Sequence, residues 1–99
     1  MQKIELDDKT ILVTGAAGFI GSNLVKRLLQ DVKNAAIIGI DNMNDYYDVS
    51  LKEYRLNEIE EINSSNSWSF IKGDIADRQT IAAIFDEYEP QIVVNLAAQ

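Results

Sequence analysis

Thr10-Ile11-Leu12-Val13-Thr14-Gly15-Ala16-Ala17-Gly18-Phe19-Ile20-Gly21 is the stretch that decides the fold of this 99-residue chain. Its first five residues are rich in β-branched side chains and stop at a glycine, the pattern of a short strand ending in a turn. From Phe19 to Gln30 apolar residues recur at Ile20, Leu24 and Leu28 and at Val25 and Leu29, and these i, i+4 pairs define one wide helical face. Between strand and helix a glycine stands at every third position. Gly15 permits the tight exit from the strand, Gly18 lets backbone approach a ligand with no Cβ in the way, and Gly21 lets the helix lie close to the sheet. The amides of the first helical turn, Phe19 and Ile20, lack intrahelical partners and lie at the positive end of the helix dipole, which suits a phosphate. No lysine follows, so this is not the triphosphate loop that ends in Gly-Lys-Ser/Thr. The spacing also departs by one residue, between the first two glycines, from the G-x-G-x-x-G dinucleotide fingerprint. Glycines that merely relieve crowding would explain the turn alone; a strand before and a helix after favour a pyrophosphate cradle.

Outward from this turn, short apolar runs alternate with amphipathic segments, the signature of β-α-β units and a parallel sheet. Ala36-Ile37-Ile38-Gly39-Ile40 is continuously apolar, as expected of a strand covered on both faces, and it closes on Asp41. Asn42 to Ser50 is polar and aromatic without a period and reads as a loop. A second helix is expected from Leu51 to about Ile62, with Leu51, Tyr54, Ile59 and Ile62 facing inward. Ser64-Ser65-Asn66-Ser67 is turn chemistry, and Trp68-Ser69-Phe70-Ile71-Lys72 is a third strand. Asp77 is the expected N-cap of a third helix with an apolar face of Ile81, Ile84, Phe85 and Tyr88, ended by Pro90. Ile92-Val93-Val94-Asn95-Leu96 is a fourth strand. No repeat, linker or low-complexity stretch interrupts the pattern. Right-handed crossovers then predict an α/β fold: a partial Rossmann-type doubly wound parallel sheet with strand order 3-2-1-4 and three helices.

Asp41 stands twenty residues after Gly21, where the fingerprint expects an acidic residue to bind the adenosine ribose hydroxyls. A carboxylate accepts hydrogen bonds from two hydroxyls and repels a 2′-phosphate. No Arg or Lys lies in the glycine turn or between Ile37 and Asp48, so NAD is expected over NADP. A capping or turn aspartate is the other reading of Asp41. Asp74-Ile75, after the third strand, lies where the carboxyl edge of the sheet would pass under an adenine. Spacing leaves Asp74 equally readable as a simple turn residue.

Composition removes other chemistries. With 16 acidic against 9 basic residues the formal charge is −7, opposite to the clustered cations that nonspecific nucleic-acid binding requires. Cysteine and histidine are absent, which rules out disulfides, thiolate nucleophiles, Cys/His zinc sites and imidazole bases within these residues. Met1-Gln2-Lys3-Ile4-Glu5 opens no apolar leader and nothing approaches the roughly 20 apolar residues of a membrane span, so a soluble cytoplasmic protein is expected. Glu58, Glu60 and Glu61 read as a solvated helix face, and Trp68 as a packing aromatic.

Thr14-Gly15-Ala16-Ala17-Gly18-Phe19-Ile20-Gly21 resembles the extended short-chain dehydrogenase/reductase family, the NAD-dependent sugar-nucleotide epimerases and dehydratases. Asp41-Asn42, Gly73-Asp74-Ile75 and Asn95-Leu96-Ala97-Ala98-Gln99 fall in the order of that family's other cofactor-site blocks. Asp41-Asn42-Met43-Asn44-Asp45-Tyr46-Tyr47-Asp48, followed by Leu51-Lys52, is similar to the UDP-glucuronate 4-epimerase branch, which includes capsular-polysaccharide epimerases. Asn95, where many family members carry a histidine, is similar to the same branch. The resemblance implies Asp41 on the adenosine ribose with Asn42 beside it, Asp74 and Ile75 at the adenine, and Leu96, Ala97 and Ala98 toward the nicotinamide. It implies a reaction in which hydride leaves sugar C4 for NAD and returns to the opposite face.

The family's Tyr-x-x-x-Lys pair has no counterpart here: the residues four after Tyr46, Tyr47, Tyr54 and Tyr88 are Ser50, Leu51, Glu58 and Ile92. Residues 1–99 are therefore expected to be the N-terminal part of an NAD-binding Rossmann domain, lacking the catalytic Tyr/Lys region and the substrate domain and inactive alone. An open fourth-strand edge is expected to promote self-association. The competing readings are a noncatalytic NAD-sensing module of the same fold, a sugar-nucleotide dehydratase, and a flavodoxin-like or methyl-donor-binding α/β domain.

Overall fold

The computed structural model describes residues 6–43, 49–62 and 64–96. Four strands and three helices follow one another as β1 (Thr10–Thr14), α1 (Phe19–Asp31), β2 (Ala36–Asp41), α2 (Val49–Glu60), β3 (Ser67–Lys72), α3 (Arg78–Tyr88) and β4 (Ile92–Asn95). All strand pairings are parallel and the sheet order is β3-β2-β1-β4. That is the order expected, and it differs from the flavodoxin-like 2-1-3-4-5 arrangement. The central strands are buried on both faces, which is why their sequences run apolar without alternation.

Two cores sandwich the sheet. On one face Val25, Leu28, Leu29 and Val32 of the α1 segment meet Ile11, Val13 and Ile37, with Ile59 of α2 joining them. On the other, Leu12, Ile38 and Ile40 meet Ile84 of α3. Each such aliphatic side chain stabilises the fold by about 1.5–3 kcal/mol relative to leaving it in water. Asn66 fastens the turn before β3: its carboxamide donates to the Leu29 and Val32 carbonyls at 3.0 and 2.6 Å and accepts from the Ala35 N–H at 2.8 Å. This side chain satisfies the carbonyls that the end of α1 leaves open.

Three expectations are corrected. In α2 only Ile59 is buried, whereas Leu51 and Tyr54, expected inward, are 44% and 59% exposed. The helix begins two residues earlier than expected and carries little amphipathic pattern, so its apolar spacing was a weak guide to orientation. Phe85 of α3 and Ile20 of α1 also stand largely exposed, although both belong to apolar i, i+4 sets. Pro90 does not itself end α3: the helix stops at Tyr88, with Glu89 in the left-handed region at φ 49° and its N–H bonded to the Phe85 carbonyl. Proline then follows the cap, a position it commonly takes because it cannot continue a helix.

Candidate functional site

The carboxyl ends of the four strands converge on the glycine turn. Gly15 adopts φ 71°, a conformation costly to any residue with a Cβ, and its N–H bonds to the Ile40 carbonyl at 2.9 Å. The turn is thereby sewn to the end of β2. A Cβ at Gly21 would lie 2.1 Å from the Gly15 carbonyl oxygen, so the close approach of α1 to the turn requires glycine there. Gly18 occupies the N-cap of α1 with extended backbone and offers no side-chain cap to the first-turn amides of Phe19, Ile20 and Gly21. Those donors lie at the positive end of a 13-residue helix, where the residues Phe19 and Ile20 are 69% and 67% exposed. An anion is the partner this arrangement suits.

Asp41 ends β2 beside the turn, buried to 6% exposure. Its Oδ2 accepts the Ala17 N–H at 3.1 Å, and its Oδ1 accepts the Met43 N–H at 2.8 Å and the Lys52 ammonium at 2.9 Å. The first of these bonds joins the glycine turn directly to the carboxylate at the end of β2. Periodicity could not have found Lys52: it arrives from α2, 11 residues along the chain from Asp41, and its side chain is 14% exposed. Arg55, one turn further along α2, donates to the Ala17 carbonyl at 3.3 Å and stands 5.9 Å above the Phe19 ring. A groove of about 220 Å³, lined by residues of α1 and α2 including Lys26, Tyr54 and Glu58, opens between these helices and not over the strand ends.

Asp74 is brought to the same edge, since the Gly73 N–H bonds to the Asp41 carbonyl at 3.1 Å. Its carboxylate accepts the Ala76 N–H at 2.9 Å, which is turn work, while Ile75 is half-buried against the second core. Leu96 also joins the edge, its N–H bonding to the Thr14 hydroxyl at 3.0 Å and the Thr14 carbonyl at 3.2 Å. The Thr14 hydroxyl donates in turn to Asn95 Oδ1 at 2.6 Å. Asn42 follows Asp41 at the rim. Ala97 and Ala98, expected toward the nicotinamide, lie outside the described residues, as do Asn44 to Asp48.

Gly39 carried no expected role, yet a Cβ there would fall 2.5 Å from the Trp68 ring and 2.6 Å from Ala16 Cβ. Trp68 and the turn residue Ala16 thus pack together across β2, holding the turn down on the sheet. No metal-holding cluster of acidic side chains occurs among the described residues, and no described helix is long and apolar enough to cross a membrane.

A parallel sheet in the order 3-2-1-4, with a glycine turn and an acidic residue meeting at its carboxyl edge, defines a Rossmann-type dinucleotide-binding unit. Residues 12–99 match the sequence model of the family described as GDP-mannose 4,6 dehydratase, and the chain belongs to that family. Among its relatives, Protein CapI of Staphylococcus aureus is 45% identical over 89 residues, covering 90% of this chain and 25% of the relative. A UDP-glucuronate 4-epimerase of Thermodesulfobacterium geofontis is 44% identical over 88 residues, covering 89% of this chain and 26% of the relative. In the solved UDP-glucuronic acid 4-epimerase of Bacillus cereus, in complex with UDP-glucuronic acid and NAD, the likeness has a TM-score of 0.72 and 34% identity, covering 90% of this chain and 26% of that one. The chain thus spans about a quarter of the length of the curated relatives it matches.

Proposed function

We propose that this chain is the NAD-binding portion of a nucleotide-sugar 4-epimerase acting on UDP-glucuronate or UDP-galacturonate. The observation that carries the proposal is the direct bond from the Ala17 N–H of the glycine turn to the Asp41 carboxylate. It couples a phosphate-binding helix start to a ribose-binding acid, the two contacts that an adenine dinucleotide needs about one ribose apart. The epimerase reading draws its support from the relatives named UDP-glucuronate 4-epimerase.

In this reading Gly15, Gly18 and Gly21 shape the cradle, and the Phe19 and Ile20 amides donate to the pyrophosphate. Asp41 accepts from the adenosine ribose with Asn42 at the rim. Asp74 and Ile75 border the adenine, Asp74 keeping its turn bond, and Leu96 with Ala97 and Ala98 leads toward the nicotinamide. The bound dinucleotide supplies the hydride acceptor and donor for oxidation and re-reduction at sugar C4. No residue of this chain is assigned to proton transfer; none of its tyrosines is followed four residues later by a lysine. The family description favours one second reading, a sugar-nucleotide dehydratase, which uses the same dinucleotide site.

The test is a two-dimensional amide NMR titration of the protein with NAD. Shifts concentrated at Gly15–Gly21 and around Asp41 are expected. Gly18→Val should keep a dispersed spectrum and lose those shifts, because its added carbons fill the space the pyrophosphate approaches. A folded wild-type protein that shows no shifts with NAD overturns the reading.

A further inference from the structure

We infer that Lys52 sets how strongly this site discriminates NAD from NADP, by cancelling the charge of Asp41 beside the ribose 2′ position. The inference rests on the NAD reading above and names the residue that governs one corner of that site. A bare carboxylate at the end of β2 would repel a 2′-phosphate. Here it is not bare. The Lys52 ammonium lies 2.9 Å from Asp41 Oδ1, and the two side chains are only 14% and 4% exposed, so solvent screens the pair weakly. Arg55 adds a second cation on the carbonyl of Ala17, the residue whose N–H binds the other carboxylate oxygen. Among the described residues, a ligand group reaching Asp41 therefore meets one carboxylate and two cations.

The lone pairs lead the same way. A carboxylate offers about four acceptor sites, and the Ala17, Met43 and Lys52 donors already fill three of them. Two ribose hydroxyls need two. The Ala17 and Met43 donors are backbone and cannot leave without remodelling the turn, whereas Lys52 is a point charge on a flexible four-carbon stem. Once displaced, its ammonium stays tethered near the 2′ oxygen, able to donate to a hydroxyl or to neutralise a phosphate. Asp41 thus rejects NADP weakly while Lys52 is present and strongly without it.

Calorimetric titration of the purified protein with NAD and NADP tests this, with dispersed amide spectra as the folding control. Wild-type protein is expected to bind NADP within about thirtyfold of NAD, and Lys52→Met to widen the ratio by a further factor of about ten or more, through loss of NADP. Lys52→Arg, which keeps the charge, should restore the narrow ratio. A wild-type ratio above about thirtyfold overturns the inference whether or not any variant folds. So does a Lys52→Met protein that loses both nucleotides equally or neither, or a Lys52→Arg protein that behaves like it. Folded wild-type protein that binds neither nucleotide overturns the NAD reading itself, and this inference with it.

Discussion

Gly15, Gly18 and Gly21 are one motif with three physical causes. Gly15 is demanded by the sign of its φ and Gly21 by a carbonyl oxygen where its Cβ would be, while for Gly18 the proposed function supplies the reason, a ligand that it would admit. The causes separate in experiment. Gly21→Ala should destabilise the fold by about 3 kcal/mol in urea unfolding, because both colliding groups are backbone and no rotamer change relieves them. A Cβ at Gly18 would already sit a tight 3.2 Å from the Gly15 carbonyl oxygen, so Gly18→Val carries a smaller folding cost of its own beside its expected effect on binding. Asp41 was legible from spacing alone, twenty residues past the last glycine. Its ion pair with Lys52 was not, because the ammonium comes from the next helix, 11 residues along the chain.

At the scale of the element, α2 and α3 show two ways of holding a helix. α3 follows the expected plan: Asp77 accepts the Gln79 N–H and the Thr80 hydroxyl, each at 3.0 Å, and Ile84 enters the core. The Thr80 hydroxyl bond, then the backbone bonds from Gln79 and Thr80, hold the Asp77 carboxyl below its ordinary value of 3.8. A lowered folded-state pKa stabilises above the unfolded value, and the contribution is lost as pH falls through the folded one. Acid unfolding followed by circular dichroism should therefore show Asp77→Asn losing less stability than wild type below about pH 4. Glu58, lowered chiefly by its hydrogen bond from Lys26, titrates in the same direction and leaves part of the acid limb in place. α2 is anchored differently. Besides Ile59 it is fastened by Lys52 on Asp41, Arg55 on the glycine turn and Glu58 on Lys26 at 2.7 Å. Hydrophobic spacing does not register such contacts, which is why the inward placement of Leu51 and Tyr54 failed.

Across the whole molecule the two faces of the sheet are unequally covered. Among the described residues the core beneath α1 and α2 holds ten buried apolar residues, and that beneath α3 holds four. Val93 and Leu96 at the β4 end and Phe85 of α3 are 48%, 37% and 42% exposed. The outer edge of β4 bonds to no other described strand. An apolar parallel edge, with further exposed apolar surface on α3, favours pairing between copies, and light scattering should show dimers or larger species whose share grows with concentration. A clean monomer at high concentration would count against that expectation.

The order of strands and helices, the glycine turn and the acid after the second strand were determined by the sequence alone, because each is written locally: short unbroken apolar runs, a 3.6-residue apolar period in α1 and α3, glycine every third residue, a fixed count to Asp41. Tertiary structure alone decided what surrounds that acid. Ala17 and Lys52 stand 24 and 11 residues from Asp41, and Arg55 stands 38 residues from the carbonyl it binds. Only the parallel stacking of β1 on β2 and the return of α2 over the turn bring them within hydrogen-bonding distance. The fold likewise gave Asp74 a turn bond to Ala76, and Trp68 became the cover of Gly39 through strand register. Charge and hydrogen bonding act through space over a few ångströms, and a one-dimensional pattern carries no record of which distant segments those few ångströms will join.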